Sequence, residues 1–196
     1  TGTFYTASNG GQTESSQNIW GGAGYGYLAI KDDPFDLANP DSVKKTATVY
    51  GDATSGSQNA SLKALLNTKA AAAVKAMGYQ SAASVVTVLK VNSITPHTPK
   101  YADPSRLYTQ MDFALTVRTK NSAGATVEIP ATVTCSIFGE LESMLGMSIS
   151  STTNELWTVS KSGSNFVLAA RRYGHGAGMS QRGAMQMGRM GYTYDQ

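Results

Sequence analysis

Residues 107–136 read LYTQMDFALTVRTKNSAGATVEIPATVTCS, and this stretch does the most to decide the fold. Residues 107–118 and residues 126–136 both have the composition of β-strands. The loop between them, KNSAG at residues 120–124, has the length and the glycine that are typical of a hairpin connection. The two strands are therefore expected to pair in an antiparallel manner.

Shorter elements are predicted on both sides of this hairpin: strands at residues 3–7 and 84–93, a second hairpin at residues 155–160 and 165–170 around the loop KSGS, and a short helix at residues 138–145. Residues 31–57 are rich in Asp, Pro, Gly and Ser, so they are expected to be mostly loop with one short strand. In that part of the chain, regular structure is expected to be sparse.

One long helix is predicted at residues 59–77, where Gly78 provides a stop and apolar side chains recur at helical spacing: Leu62, Leu66, Ala70, Ala73 and Met77. Strands are grouped rather than alternating with helices, which indicates the α+β class. The expected architecture has mostly antiparallel strands, one long alanine-rich helix, and a short C-terminal helix after a glycine-rich turn.

That turn is YGHGAGMSQRGA at residues 173–184, which places His175 between glycines. Glycines let the backbone adopt strained angles and let another backbone or a ligand approach closely. Ser180 can cap the helix that follows. Three familiar glycine-loop chemistries do not fit: the nucleophile elbow lacks its second glycine at Arg182, the phosphate loop has Ala184 where lysine is required, and the dinucleotide pattern has Gln181 in place of its third glycine.

Residues 174–181, with Gly183 and Ala184, resemble the C-terminal motif of the SpoIID/LytB family, which includes stage II sporulation protein D and amidase enhancers. A second segment, FYTASNGGQTE at residues 4–14 followed by Trp20-Gly21-Gly22 and Tyr27-Leu28, resembles that family's Ser/Asn-Gly-Gly-x-Thr segment. The two matches cover about a quarter of the chain, residues 4–28 and roughly 165–194. The resemblance implies two halves of a SpoIID-like core at residues 1–40 and 155–196, with residues 41–154 as an inserted or second lobe.

The resemblance implies that peptidoglycan is the substrate. Members like sporulation protein D are lytic transglycosylases, in which a glutamic acid protonates the bond between N-acetylmuramic acid and N-acetylglucosamine, and such an acid needs a raised pKa. The family's glutamate lies in a helix upstream of the Gly-Gly segment, and no such stretch precedes Thr1. We therefore expect the catalytic acid to lie outside these residues, the chain to be a truncated or processed piece, and the chain alone to be inactive.

The substrate-binding residues implied by the resemblance are His175, Ser180, Gln181, Ser8 and Asn9. His175 could donate to a sugar or titrate near neutral pH, or it could only shape the turn. Ser180 and Gln181 could bind sugar hydroxyl groups, or they could only cap the helix. Glu14 lies inside a family motif but is not promoted to the catalytic role, and the other glutamates considered are expected on solvated faces: Glu128, Glu140, Glu142 and Glu155.

The alternative function is a non-catalytic cell-wall-binding module or an amidase enhancer, with a cell-wall amidase as its partner. Either function implies an extracytoplasmic location in a bacterial cell envelope. Some family members bind zinc through histidine and cysteine near the Gly-Gly segment, but Tyr5 and Asn9 stand in that neighbourhood here. No metal and no cofactor are expected.

Composition excludes several other classes. The net charge of +3 comes from 16 basic and 13 acidic residues that are scattered, which argues against nucleic acid as a partner. The single cysteine, Cys135, precludes an intrachain disulfide and is expected to be a buried structural thiol. The longest apolar run is about five residues near Ala70, well short of the roughly 20 that span a bilayer. Thr1 begins in polar sequence, so no signal peptide is expected.

Two further predictions concern side chains near the motif and in the middle of the chain. Four methionines at residues 179, 185, 187 and 190 are expected to fill a core. His97 lies in the sequence TPHTP and is expected in an extended loop, with no role in function.

Overall fold

The computed structural model describes residues 4–193. Its helices and strands follow one another in this order: β1 (Tyr5–Thr6), α1 (Ser16–Trp20), α2 (Pro34–Ala38), β2 (Lys44–Val49), α3 (Ala60–Ala76), β3 (Thr87–Pro99), β4 (Tyr108–Lys120), β5 (Thr126–Ser136), a π-helical turn (Ile137–Leu141), α4 (Glu142–Met144), β6 (Leu156–Ser162), β7 (Asn165–Arg171), β8 (Met179–Ser180) and α5 (Gln181–Arg189). The predicted α+β class is confirmed. Thr3, the first residue of the strand predicted at residues 3–7, and Tyr194, the last residue of the C-terminal match, lie outside the described residues.

The central sheet has the antiparallel order β3-β4-β5, and the predicted hairpin is confirmed with Lys120 opposite Thr126. Alternate residues of β4 point into the core, where Phe113 and Val117 are fully buried. Helix α3 begins after Asn59, whose side chain accepts a hydrogen bond from the Leu62 amide. Its buried stripe packs in the same core: Leu62, Leu66, Ala70 and Val74.

A second antiparallel sheet has the order β2-β7-β6. Strand β2 belongs to the predicted lobe at residues 41–154, yet it pairs along its whole length with β7 of the predicted core, from Lys44 opposite Arg171 to Val49 opposite Phe166. Trp157, Phe166 and Leu168 share one hydrophobic cluster with α3 and the central sheet. The predicted lobe and core are thus joined by one sheet and one cluster.

The N-terminal and C-terminal parts of the described chain meet at a third, two-stranded sheet in which β1 and β8 run parallel, with Thr6 opposite Ser180. A backbone pair extends this contact, because the Ser8 and Tyr173 amides each donate to the other residue's carbonyl. Helix α2 packs beside α5 at the same end of the molecule. The two segments that carry the family resemblance are therefore in direct contact.

Several local predictions were wrong. Residues 31–57 contain α2 as well as β2, and the missed signal was Pro34 at the first helical position after Asp33 as N-cap. The helix predicted at residues 138–145 is divided into the π-helical turn and α4. His97 lies on β3, opposite Gln110, instead of in a loop. Asn154 and Ser105 were not considered, although both are buried.

The prediction that the four methionines after His175 fill a core was wrong, because none of them is buried and Met187 is only half-buried. Met179, Met185 and Met190 are each about half exposed, at 55%, 43% and 56%. Helix α5 is a surface helix whose only buried residue is Gly183 among those that the structure describes, so the core has no place for its longer side chains.

Cys135 is fully buried, as predicted, and burial raises the pKa of its thiol to about 12. At physiological pH the thiol is therefore neutral and unreactive. Within residues 4–193, no helix is long and apolar enough to cross a membrane.

Candidate functional site

The glycines of the C-terminal motif allow other parts of the protein to lie close to the backbone. Gly178 has a φ of +80°, and a Cβ there would lie 2.2 Å from the carbonyl oxygen of Phe4. The Met179 amide donates to that same oxygen at 3.1 Å. Because no side chain fits between the two backbones, β1 can lie against β8 only when residue 178 is glycine. The group that lies against Gly178 is therefore the backbone of Phe4 and not a ligand.

Arg172 lies at the centre of the site and was not singled out from the sequence. It follows β7, is 1% exposed, and has a φ of +102°, which is rare for a residue with a side chain. Its guanidinium donates to the carbonyl oxygens of Asn9, Gln12 and Asn154 at 3.0, 2.9 and 3.3 Å. Gly176 leaves room for it, because a Cβ there would lie 2.8 Å from the guanidinium carbon.

Two buried carboxylates balance the charge of this guanidinium at longer range. Burial lowers the pKa of Arg172 to about 10, and the charges of Glu14 and Glu155 oppose that effect. Glu14 is fully buried and accepts hydrogen bonds from Asn18 Nδ2 at 2.7 Å and Ser105 Oγ at 2.8 Å. Glu155 accepts from the amides of residues 149, 150 and 154. Arg172 thus stays protonated in the interior.

A second buried network surrounds Asp36 of α2. Its carboxylate accepts hydrogen bonds from Ser8 Oγ at 3.0 Å, from the Asn9 amide at 2.9 Å, and from Ser180 Oγ. Ser180 Oγ also accepts from the Gly183 amide at 3.0 Å, so the predicted capping of α5 is confirmed. Ser8, Asn9 and Ser180 are all buried and all have partners within the protein. Their side chains therefore hold the local backbone in place from inside the protein. Direct contact between a sugar and Ser8, Asn9 or Ser180 stays a prediction.

His175 reaches the surface and is half-buried. Its Nδ1 accepts a hydrogen bond from the Ala177 amide at 3.0 Å, and Asn154 Nδ2 donates to its carbonyl at 3.0 Å. The bond at Nδ1 selects the neutral tautomer with hydrogen on Nε2. Burial lowers the pKa of His175, and the positive charge of Arg172 lowers it further. His175 therefore presents a neutral ring with one N–H donor at neutral pH.

An exposed group of rings extends from His175, and we call it the aromatic surface: Phe4, Trp20, Tyr25, Tyr27 and His175. The Trp20 ring lies 5.0 Å from the His175 ring and 5.0 Å from the Phe4 ring. Tyr25 is 6.1 Å from Phe4 and 5.9 Å from Tyr27. Trp20, Tyr25 and Tyr27 are each about half exposed, at 48%, 56% and 62%. Exposed apolar groups of this kind are candidates for a binding surface.

Two depressions open at the aromatic surface. One, of about 390 Å³, lies between Trp20 and Tyr25 over Gly21 and Gly24. The other, of about 320 Å³, lies at His175. Its further lining residues are Ile19, Lys100, Tyr101, Thr152, Asn154 and Gly174. Trp20 borders the first depression and His175 borders the second, so the contact between these two rings places the depressions next to each other.

The sequence predicted only one member of the aromatic surface. Of the predicted binding residues, His175 belongs to it, while Gln181 is exposed at the start of α5 and borders neither depression. The aromatic members were missed as a site, although the sequence WGGAGYGY at residues 20–27 interleaves rings with glycines. That pattern is the signal that could have identified them.

The four glutamates expected on solvated faces differ in burial, and Glu140 is half-buried and pairs with Lys69 at 3.0 Å. Glu128 is exposed and pairs with Arg118 at 2.8 Å, as expected. For Glu142 and Glu155 the expectation was wrong, because both are buried. Burial and the charge of Glu155 raise the pKa of Glu142. Neither residue borders the depressions at the aromatic surface.

No protein-family model matches this chain, and no curated protein matches it.

Replacing Arg172 with glutamine is expected to destabilise the fold by about 3–5 kcal/mol, because Glu14 and Glu155 would lose the buried cation that faces them. Urea unfolding followed by circular dichroism measures this loss. Arg171→Gln, one residue earlier and partly exposed, is the matched control and should cost about 0.5 kcal/mol. Equal losses for the two variants would contradict the central position of Arg172.

His175 is expected to titrate below the ordinary histidine pKa of 6.5. The folded protein then binds fewer protons than the unfolded chain, so this contribution to stability is complete above pH 6.5 and is lost as the pH falls through the folded pKa. Proton NMR of the imidazole signals measures the midpoint, and His97→Gln identifies which of the two histidines gives each signal. A midpoint at or above 6.5 would contradict the burial argument.

Proposed function

We propose that this chain binds glycan strands of peptidoglycan on the aromatic surface. The observation that carries the proposal is the contact between the exposed Trp20 ring and the His175 ring, 5.0 Å apart. Sugar rings have C–H groups on their faces and hydroxyl groups on their edges. Flat aromatic side chains therefore suit the faces, and polar groups beside them suit the edges.

The polar groups at this surface include donors and acceptors that suit the hydroxyl and N-acetyl groups of a glycan, and Lys100 adds a positive charge at the His175 depression. The ring of His175 is neutral with one N–H donor at neutral pH. Tyr101, Thr152 and Asn154 add hydroxyl and amide groups at the same depression. N-acetyl groups of the glycan present both a donor and an acceptor, which such a mixed set can satisfy.

The extent of the surface favours a strand over a single sugar. The rings run from Tyr27 through Tyr25, Phe4 and Trp20 to His175, with successive ring centres 5.0 to 6.1 Å apart. Because several neighbouring rings can each stack on a sugar face, we propose a strand of sugars as the ligand. The bacterial cell envelope, outside the cytoplasm, is the place where such a polymer occurs, and we propose that the chain acts there.

Strand cleavage of the lytic transglycosylase type needs a carboxylic acid beside the scissile bond. Glu14 is fully buried, and both of its oxygens already accept hydrogen bonds. Glu142 has the raised pKa of a general acid, but it does not border the aromatic surface. We therefore propose that this chain by itself binds the strand without cleaving it.

Trp20→Ala is expected to weaken the affinity for purified, peptide-free glycan strands by about tenfold, because a central aromatic anchor is removed. Isothermal titration calorimetry measures the affinity. Tyr192→Ala is the matched control, since Tyr192 is 41% exposed and its ring packs on Phe35 in a separate pair. Unchanged affinity in Trp20→Ala, with a normal circular dichroism spectrum, would refute binding at this surface.

Incubation of the chain with glycan strands is expected to yield no new anhydro-muramic ends by mass spectrometry. A known lytic transglycosylase acting on the same strands is the positive control. The appearance of such ends would contradict the proposed absence of cleavage. Glu14→Gln and Glu142→Gln would then identify the acid.

A further inference from the structure

A cavity of about 630 Å³ lies outside the aromatic surface, between β3 and the turn that joins β6 to β7. None of its lining residues borders the depressions at Trp20 and His175. Its volume falls within the range of about 300–1,000 Å³ that is usual for small-molecule sites. The proposed glycan binding makes no use of it.

The fold builds this cavity through two irregularities in β3. Leu89 and Asn92 are extra residues in the pairing with β4, so each forms a β-bulge, and both line the cavity. Bulges bend a strand and redirect its side chains, and they are frequent next to functional sites. The opening in β3 is therefore a built feature of the sheet.

Gly51 closes the other side of the cavity. A Cβ at residue 51 would lie 2.0 Å from the carbonyl oxygen of Ser164, so only glycine permits this approach to the β6–β7 turn. The Gly51 amide donates to Asn165 Oδ1 at 3.1 Å, and its carbonyl accepts from the Val91 amide at 2.9 Å. These bonds connect β3 to the turn and fix the shape of the cavity.

The charge at the rim is positive, because two lysines outnumber the single carboxylate of Asp52 there. Lys90 and Lys161 both line the cavity, and within residues 4–193 neither ammonium group has a hydrogen-bond or ion-pair partner. The carboxylate of Asp52, also at the rim, is engaged by the hydroxyl and the amide of Thr54 at 2.6 and 2.9 Å. Two free ammonium groups at one opening favour an anionic ligand.

The floor of the cavity is apolar. Phe166 and Val91 are almost fully buried beneath it, and Leu89 is half-buried beside them. A ligand that suits both floor and rim has a small apolar body and one anionic group. Inorganic phosphate carries negative charge but has no apolar part, so it suits the rim and not the floor.

We propose that this cavity binds a short peptide that ends in a free carboxylate, with small apolar side chains against Phe166 and Leu89 and the carboxylate between Lys90 and Lys161. The peptide stems carried by peptidoglycan are ligands of this kind. The choice of peptidoglycan as the natural source of the peptide rests on the proposed function. The binding of such a peptide in this cavity does not depend on the proposed function.

The test uses the whole chain labelled with ¹⁵N and titrated with diacetyl-L-lysyl-D-alanyl-D-alanine to about 10 mM, a range suited to millimolar affinity. The expected result is a shift of the amide signals of Leu89, Asn92 and Ser164. The same peptide with a C-terminal amide should give no comparable shift, and neither should inorganic phosphate. Absence of shifts at the cavity, equal shifts with the amide, or equal shifts with phosphate would each overturn the proposal.

Variants separate this site from the aromatic surface. Lys90→Gln and Lys161→Gln should each weaken peptide binding by about tenfold, since each removes a charge-assisted hydrogen bond. Lys75→Gln, an exposed lysine on α3, is the matched control and should bind the peptide normally. Trp20→Ala should leave peptide binding unchanged, and Lys161→Gln should leave glycan binding unchanged. Loss of peptide binding in Lys75→Gln or in Trp20→Ala would overturn the assignment to this cavity.

Discussion

The buried guanidinium of Arg172 is the interaction on which the rest of the site depends. It donates to carbonyl oxygens of Asn9, Gln12 and Asn154, which belong to segments more than a hundred residues apart. A buried cation is stable only when its donors and its charge are matched. The Glu14 and Glu155 carboxylates supply that match, so the segments around Asn9, Asn154 and Arg172 are held in one arrangement.

The aromatic surface is a consequence of that arrangement. His175 lies three residues after Arg172, and Gly176 and Gly178 leave the space that the guanidinium and β1 require. Phe4 precedes β1, so the parallel pairing with β8 brings its ring to the group that contains Trp20. Buried polar groups thus fix the position of exposed rings. The buried residues of the motif, such as Gly176 and Ser180, therefore have a structural role in holding this part of the surface.

The sequence predicted elements better than it predicted burial. The hairpin at residues 120–124 and the capping of α5 by Ser180 are local features, set by turn composition and by one side chain, and both are confirmed. The burial of Ser8, Asn9 and Glu155 depends on Asp36 and Arg172, which are distant in the sequence. Met179 and Met185 show the opposite error, because methionine spacing alone does not reveal whether a helix faces a core.

By itself the sequence determined the α+β class, the grouped antiparallel strands, and the glycine-rich turn into a final helix. Turn residues, helix caps and apolar spacing act over a few neighbouring residues, so they are readable along the chain. Only the tertiary structure decided that the turn packs against β1, that Arg172 and Asp36 hold it there, and that Trp20 meets His175 at the surface. Those contacts join residues far apart in sequence, and their free energy depends on burial, which exists only once the chain is folded.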